Sequence, residues 1–192
     1  MKSIEISGSQ RSGLGKKETK KLRAENKVPC VLYGGKEVIH FYAEDAEFRK
    51  LIYTSSVYVV DLSIDGTKKS AILQDAQFHP VEERILHCDF LEINPEKPIK
   101  IEIPVKIEGY AKGERAGGKK KLNLRRLKVK GLVQHIPDNI AINVDDLDVG
   151  QSVRVGQLKY DNLEFLNTKS VPVVTITVTR AARAAMSAAP TK

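Results

Sequence analysis

The chain has 192 residues, enough for one large domain or two small ones that each bury a core. Its 32 Lys and Arg against 24 Asp and Glu leave a net charge of +8, which favours anionic partners such as nucleic acid or an acidic membrane surface. No apolar run approaches the roughly 20 residues that span a bilayer, and "MKSIEISGS" lacks the charged-then-apolar layout of a signal peptide, so the expectation is a cytoplasmic protein with no membrane partner.

"SIEIS" reads as a first strand, followed by Arg11 and the basic segment "GLGKKETKKLRAENKVP". If residues 16–27 form a helix, Lys16, Lys20, Arg23 and Lys27 fall on one stripe, with Lys17 and Lys21 beside it. Like charges so spaced repel one another. Leu22 is the only large apolar residue of the stretch, so neither packing nor internal pairing accounts for its order. An external polyanion would; a solvated charged surface is the alternative. Gly13 and Gly15 let the backbone approach a phosphate closely, and Thr19 adds a short hydroxyl donor.

"CVLYG", "VIHFYA", "VYVVDLSI", "SAILQDAQFH" and "ILHCDFLEI" are short β-rich runs punctuated by turn residues, so this half is mainly β. Asp65-Gly66 predicts a type I′ hairpin, whose central residues both need φ > 0. "EDAEFRKLIYTS" reads as an amphipathic helix with Ala46, Leu51 and Ile52 facing inward and Phe48 less well placed. Cys30 and Cys88 lie in apolar stretches and suit reduced core thiols; neither a disulfide nor a metal site is expected.

The hairpin "ILQDAQFHPVEERILHCDFLEI" turns near Pro80 to Glu83, and alternation puts Leu86, Cys88 and Phe90 on one face of its return strand, His87 and Asp89 on the other. A register pairing odd positions with odd ones lays Asp75, Gln77 and His79 beside them. Such a patch fits an acid/base or metal site, the wet face of a sheet, or an RNA reader whose carboxylates accept from base amino groups while Tyr33 stacks or packs on a sugar. No known zinc spacing is present. Beside a basic segment the RNA reading is preferred.

"INPEKPIK", with Pro95 and Pro98, reads as an extended connector and sets the expected organisation: a domain over residues 1–94, a second over 95–180 and a mobile basic tail over 181–192. "IKIEIPVKIEG", "LKVKGLVQ", "IAINVDDL", "QSVRVGQL" and "VPVVTITVT" make the second domain all-β or nearly so. In "KGERAGGKKKLNLRRLKVKG", Gly113, Gly117 and Gly118 suggest a flexible loop, and Lys119, Lys120 and Lys121 are candidates for a secondary, sequence-independent contact with nucleic-acid phosphates.

"GKKETKKLRAENKVPCVLYGG", the His/Asp hairpin, "PVKIEGYAKGERAGG" and "DNIAINVDDLDVGQSVRVGQLK" together resemble the bacterial large-subunit ribosomal protein L twenty-five family, in its long form of the general stress protein CTC type. The resemblance runs to about Thr179. It implies an N-terminal β-barrel-like domain with one or two short helices that binds 5S rRNA in the central protuberance, and a C-terminal β-domain extending from it. The family's RNA-contacting positions fall on Arg11, Lys16, Thr19, Lys20, Lys21, Arg23 and Tyr33, and on Asp75, His87 and Asp89.

This chain departs from the family in having Gly15-Lys16-Lys17 where Gly-Lys-Gly is frequent, Thr19-Lys20-Lys21 where Ser-Arg-Arg is frequent, and a far more basic run after Gly118. Lysine lacks the bidentate fork of arginine. The resemblance implies a non-enzymatic ribosomal constituent whose partners are 5S rRNA and other rRNA or proteins of the central protuberance, with no cofactor and no small-molecule substrate. An RNA-processing enzyme using the His/Asp hairpin is the first alternative, weakened by the lack of a recognisable nucleophile, nucleotide loop or metal motif. A tRNA-binding module, by fold analogy with a synthetase anticodon-binding domain, is the second.

Overall fold

A computed structural model describes residues 2–160 and 162–179, so the tail expected over 181–192 lies outside the described residues. The chain forms two compact units. Among the described residues, the first runs to Ile99 and takes in Leu132–Ile136, and the second comprises Lys100–Gly131 and those from Pro137 on.

The first unit contains β1 (Lys2–Gln10), α1 (Lys16–Ala24), β2 (Lys27–Tyr33), β3 (Ile39–Glu44), α2 (Asp45–Ile52), β4 (Tyr58–Ile64), β5 (Thr67–Phe78) and β6 (Ile85–Glu92). Its strands close into a barrel in the order β1-β3-β2-β6-β5-β4. Alternation works as expected: Val60, Leu62 and Ile64 of β4 point inward, as do Cys88 and Phe90 of β6. They meet Ile6, Val28, Leu32 and Phe41 in one core. Cys30 and Cys88 are buried free thiols in register across β2 and β6. Burial, and then the neighbouring Cys88, push the Cys30 thiol well above its ordinary pKa. At the β4–β5 hairpin Asp65 has φ 45° and Gly66 φ 83°, both positive as a type I′ turn requires.

The helix α2 corrects the sequence reading. Phe48 is fully buried and Leu51 nearly so, while Ala46 is exposed. Phe48, Leu51 and Ile52 are spaced i, i+3, i+4 and share a face; Ala46 lies about 200° round the axis from Phe48. The Phe48 ring sits 6.3 Å from that of Phe90, which is itself 5.8 Å from Phe41, so α2 plugs the barrel with an aromatic cluster.

The second unit contains β7 (Ile99–Glu108), α3 (Lys112–Arg115), β8 (Lys119–Leu122), β9 (Arg126–Gly131), β10 (Ile140–Asn143), β11 (Ser152–Arg154), β12 (Leu163–Phe165) and β13 (Pro172–Thr177). These make a four-stranded sheet, β10-β7-β9-β12, and a three-stranded one, β11-β13-β8. Ile103, Leu127, Val129, Ile140, Val174 and Ile176 are fully buried.

The flexible loop expected around Gly113 to Gly118 is instead the turn of helix α3 leading into strand β8. Gly113 is buried, and a Cβ there would lie 2.6 Å from the Val149 nitrogen, so glycine serves close packing and not mobility. Gly113 N–H donates to Leu147 O at 2.8 Å, Gly118 N–H donates to Gly113 O at 2.8 Å, and the Glu114 carboxylate accepts from Ala111 N–H at 3.2 Å. Backbone hydrogen bonding holds what composition suggested was loose.

Phe48→Ala should cost about 3–5 kcal/mol of stability, the range for emptying a buried aromatic site. Ala46→Ser should stay within about 0.5 kcal/mol, as expected of a surface change. Urea unfolding of the two variants checks the difference.

Candidate nucleic-acid interface

The helix α1 starts at Gly15, whose φ of 128° belongs to the region glycine tolerates best. Glu18 in the first turn, and Lys21 and Arg23 in the last, complement the helix dipole. Yet none of its nine residues is buried. Polar contacts seat it instead. Arg23 donates from Nε and Nη2 to the Leu86 carbonyl of β6, at 3.1 and 2.8 Å. Arg11 Nη2 donates to the Gly13 carbonyl at 3.3 Å and to Thr19 Oγ1 at 3.2 Å, and that hydroxyl donates to Gly15 O at 2.7 Å. Burial, then Arg84 and Arg11 alongside, lower the pKa of the Arg23 guanidinium. The Arg11 Nε is buried with no hydrogen-bond partner.

The sequence candidates on this segment therefore separate into two groups. Arg11, Thr19 and Arg23 are half-buried and fasten the helix. Lys16, Lys20 and Lys21 are exposed, as is Lys17, and none of the four is ion-paired with a described carboxylate. Lys27 leaves the expected stripe because α1 ends at Ala24: Asn26 takes φ 58°, and Lys27 opens β2 with its amine 2.9 Å from Glu25.

The second constellation lies on β5 and β6. Their register pairs Asp75 with Asp89 and Gln77 with His87, odd with odd as expected. His87 Nδ1 lies 2.6 Å from Asp89 Oδ1. Tyr33 joins them from β2: burial raises its pKa, followed by the negative fields of Asp89 and Asp75, so its phenol lies near both carboxylates. His79 does not join. A bulge between Gln77 and Phe78 breaks the alternation, and His79 Nδ1 instead accepts from Val81 N–H at 3.4 Å and Glu82 N–H at 3.1 Å, capping the turn.

Two carboxylates opposite one another across strands destabilise the ladder unless donors approach them. Base amino groups and ribose hydroxyls are such donors. Among the described residues no group of three or more His, Cys, Asp and Glu is placed to hold a metal ion. The two constellations adjoin along β6, since Leu86 O anchors α1 and the next residue, His87, belongs to the patch.

Arg84 is a cation that the sequence reading missed. It lies near enough to Arg23 to lower its pKa, and its Nε is 2.7 Å from Glu82 in the β5–β6 turn. "HPVEER" reads as a connector, and only the seating of α1 on β6 brings this residue to the basic surface.

Arg23→Lys should release α1, because one ammonium cannot reproduce the two-pronged contact with Leu86 O. Amide exchange should speed up over residues 17–24 and stay slow in β4 and β5. Unchanged exchange in α1 would mean that something other than Arg23 seats the helix.

Two family models match in succession: the Ribosomal L25p family over residues 6–90, and the C-terminal domain of ribosomal protein TL5 over residues 98–180. A large ribosomal subunit protein bL25 from Bacteroides fragilis is 50% identical over 194 residues, covering 98% of this chain and 99% of the relative. The proteins of that name from Phocaeicola vulgatus and Porphyromonas gingivalis are 49% and 43% identical, covering 98% and 96% of this chain and 99% and 97% of their own lengths. With a barrel and a β-rich second unit in the order of the two family models, and near-complete alignment to these relatives, the chain belongs to the bL25 family of large-subunit ribosomal proteins.

Proposed function

We propose that the first unit grips 5S rRNA in the central protuberance, meeting phosphates along α1 and base or ribose donors at the Tyr33, Asp75, His87 and Asp89 patch. By family the chain is a structural, non-enzymatic constituent of the large ribosomal subunit and works among rRNA and ribosomal components in the cytoplasmic ribosome. One observation carries the finer reading: α1 buries nothing, is fastened by arginines, and turns four unpaired lysines to the surface. A nine-residue helix is too short to be stable alone, and mutual repulsion of its lysines works against it. Holding it rigidly in place makes physical sense when an anion completes it.

The patch supplies what cations cannot. Phosphate contacts position a nucleic acid without reading it, whereas carboxylates are repelled by phosphates and attract the donor edges of bases. With Nδ1 directed at Asp89, His87 leaves Nε2 for a ligand. Both constellations fall within residues 1–94, which we take as the RNA-binding domain, with 95–180 as its β extension.

Titration of 5S rRNA, with a tRNA as control, tests the assignment. Lys20→Ala and Lys21→Ala should each weaken both RNAs and reduce the slope of log affinity against log salt by about 0.7–0.9, the loss of one phosphate contact. Asp89→Ala should weaken 5S rRNA more than tRNA. Equal affinity of the unaltered chain for both RNAs would favour a general or tRNA-directed module, and equal loss on both in the Asp89 variant would remove its reading role.

A further inference from the structure

We propose that the exposed face of the β11-β13-β8 sheet is a second RNA-docking surface, which lays Lys119 and Lys121 against the phosphate backbone of large-subunit rRNA. It rests on membership of the ribosome and does not depend on the 5S rRNA reading.

The face follows from strand register. β8 pairs with β13 so that Lys121 lies opposite Thr175 and Lys119 opposite Thr177, while Lys120 lies opposite Ile176 and Leu122 opposite Val174. Cross-strand partners share a face. Ile176 and Val174 are fully buried, so Lys120 sits on the core side; its amine is 3.3 Å from Glu114, with side chains only 30% and 15% exposed. Lys119 and Lys121 point the other way and are exposed. The run of three lysines thus cannot act together as the sequence suggested: two face outward and one is neutralised inside.

Small hydroxyl residues surround the outward pair. Ser152 of β11 continues the row through Thr175 to Lys121. Asn123 Nδ2 donates to Thr175 Oγ1 at 2.8 Å, and Thr177 Oγ1 donates to the Lys119 carbonyl at 2.9 Å, which steadies the β8 edge. Lysine amines and Ser/Thr hydroxyls are the groups that contact phosphates.

Charge pairing in the two sheets differs sharply. In the β10-β7-β9-β12 sheet Lys106 lies 3.8 Å from Glu108, Lys128 3.6 Å from Glu102, and Lys130 3.6 Å from Glu164. The strands of the β11-β13-β8 sheet contain no Asp or Glu, and neither Lys119 nor Lys121 is ion-paired among the described residues. One sheet pairs three of its lysines with carboxylates; the other leaves its outward pair for a partner.

RNA fits this face better than an acidic protein does. Protein interfaces are centred on aromatic and large apolar anchors and are depleted of lysine. None of the exposed large hydrophobic residues of the described chain lies on β8, β11 or β13. A cationic, hydroxyl-lined surface without an apolar centre suits a backbone recognised by charge.

The test uses the full chain and three probes: large subunits stripped of this protein by a salt wash, the long rRNA of the large subunit freed of protein, and isolated 5S rRNA. In K119A/K121A the salt slope on stripped subunits and on protein-free long rRNA should fall by about 1.4–1.8, two contacts at about 0.7–0.9 each, with 5S rRNA affinity unchanged within about twofold. K119R/K121R should retain the slope, and K120A should leave it unchanged. An unchanged slope in K119A/K121A on stripped subunits overturns the proposal. So does a drop on stripped subunits that is absent on protein-free rRNA, which would assign the face to an acidic protein. Failure of the unaltered chain to bind 5S rRNA would count against the first unit's role alone.

Discussion

The parallel ladder between β1 and β4, running from the Lys2–Tyr58 pair to the Gly8–Ile64 pair, is the constraint on which the first unit depends. Without it the barrel would be an open sheet with two exposed edges. Closure also fixes where the chain leaves the barrel. The Asp65 carboxylate accepts from Gln10 N–H at 3.0 Å and Asp65 N–H donates to Gly8 O at 3.3 Å, so the β4–β5 hairpin clasps the end of β1. Arg11 N–H then donates to His40 O at 2.9 Å. The launching point of α1 is therefore set by strands distant in sequence, and the helix comes down on β6 because the barrel has already placed both.

Placing a helix without burying it calls for a division between cation types. Arginine presents donors in a planar fork and can satisfy a carbonyl while partly buried, whereas lysine is a strongly hydrated point charge on a flexible stem. In α1 the arginine turns to the Leu86 carbonyl and the lysines remain in water. Lys20 and Lys21 are thus on the solvent side, where a hydrated point charge needs no fixed partner. Arg23, whose Nε and Nη2 share one carbonyl, uses the fork.

Most strands were legible because alternation is a local signal, and so was the Asp65-Gly66 turn, whose residue types follow from the positive φ angles required. The odd-with-odd register of β5 and β6 was recoverable because one face had to bury Cys88 and Phe90. The misreadings fall where the backbone departs from simple alternation or where another segment packs against it. The displacement of His79 comes from a bulge, the order of the Gly113 turn from backbone contacts with Leu147 and Val149, and the role of Arg84 from the docking of α1 on β6. The last two depend on residues far along the chain, whereas the bulge and the turn that takes up His79 lie within one hairpin. Strand β8, written as three lysines and a leucine, has no apolar alternation and exists because β13 offers it an edge. Ala46 is different: its position followed from helical spacing once Phe48 was taken as the anchor.

The count of basic residues in a run does not give the charge a partner meets; the backbone period does. On α1 the lysines at i, i+1, i+4 and i+5 fall within an arc of about 140°, so all four face outward together. On β8 the period of two sends alternate lysines to opposite sides, and the middle one meets Glu114. Equal lengths of basic sequence therefore give different charge densities, and the helix offers the denser array in one place. Nor can β8 recover its inward lysine by a small adjustment. A shift of one residue against β13 would turn Lys120 outward, but it would also carry Lys119 and Lys121 to the core side, where Ile176 and Val174 are buried and Glu114 neutralises only one amine. The core that orders the second unit thereby limits the charge that its three-stranded sheet presents to solvent.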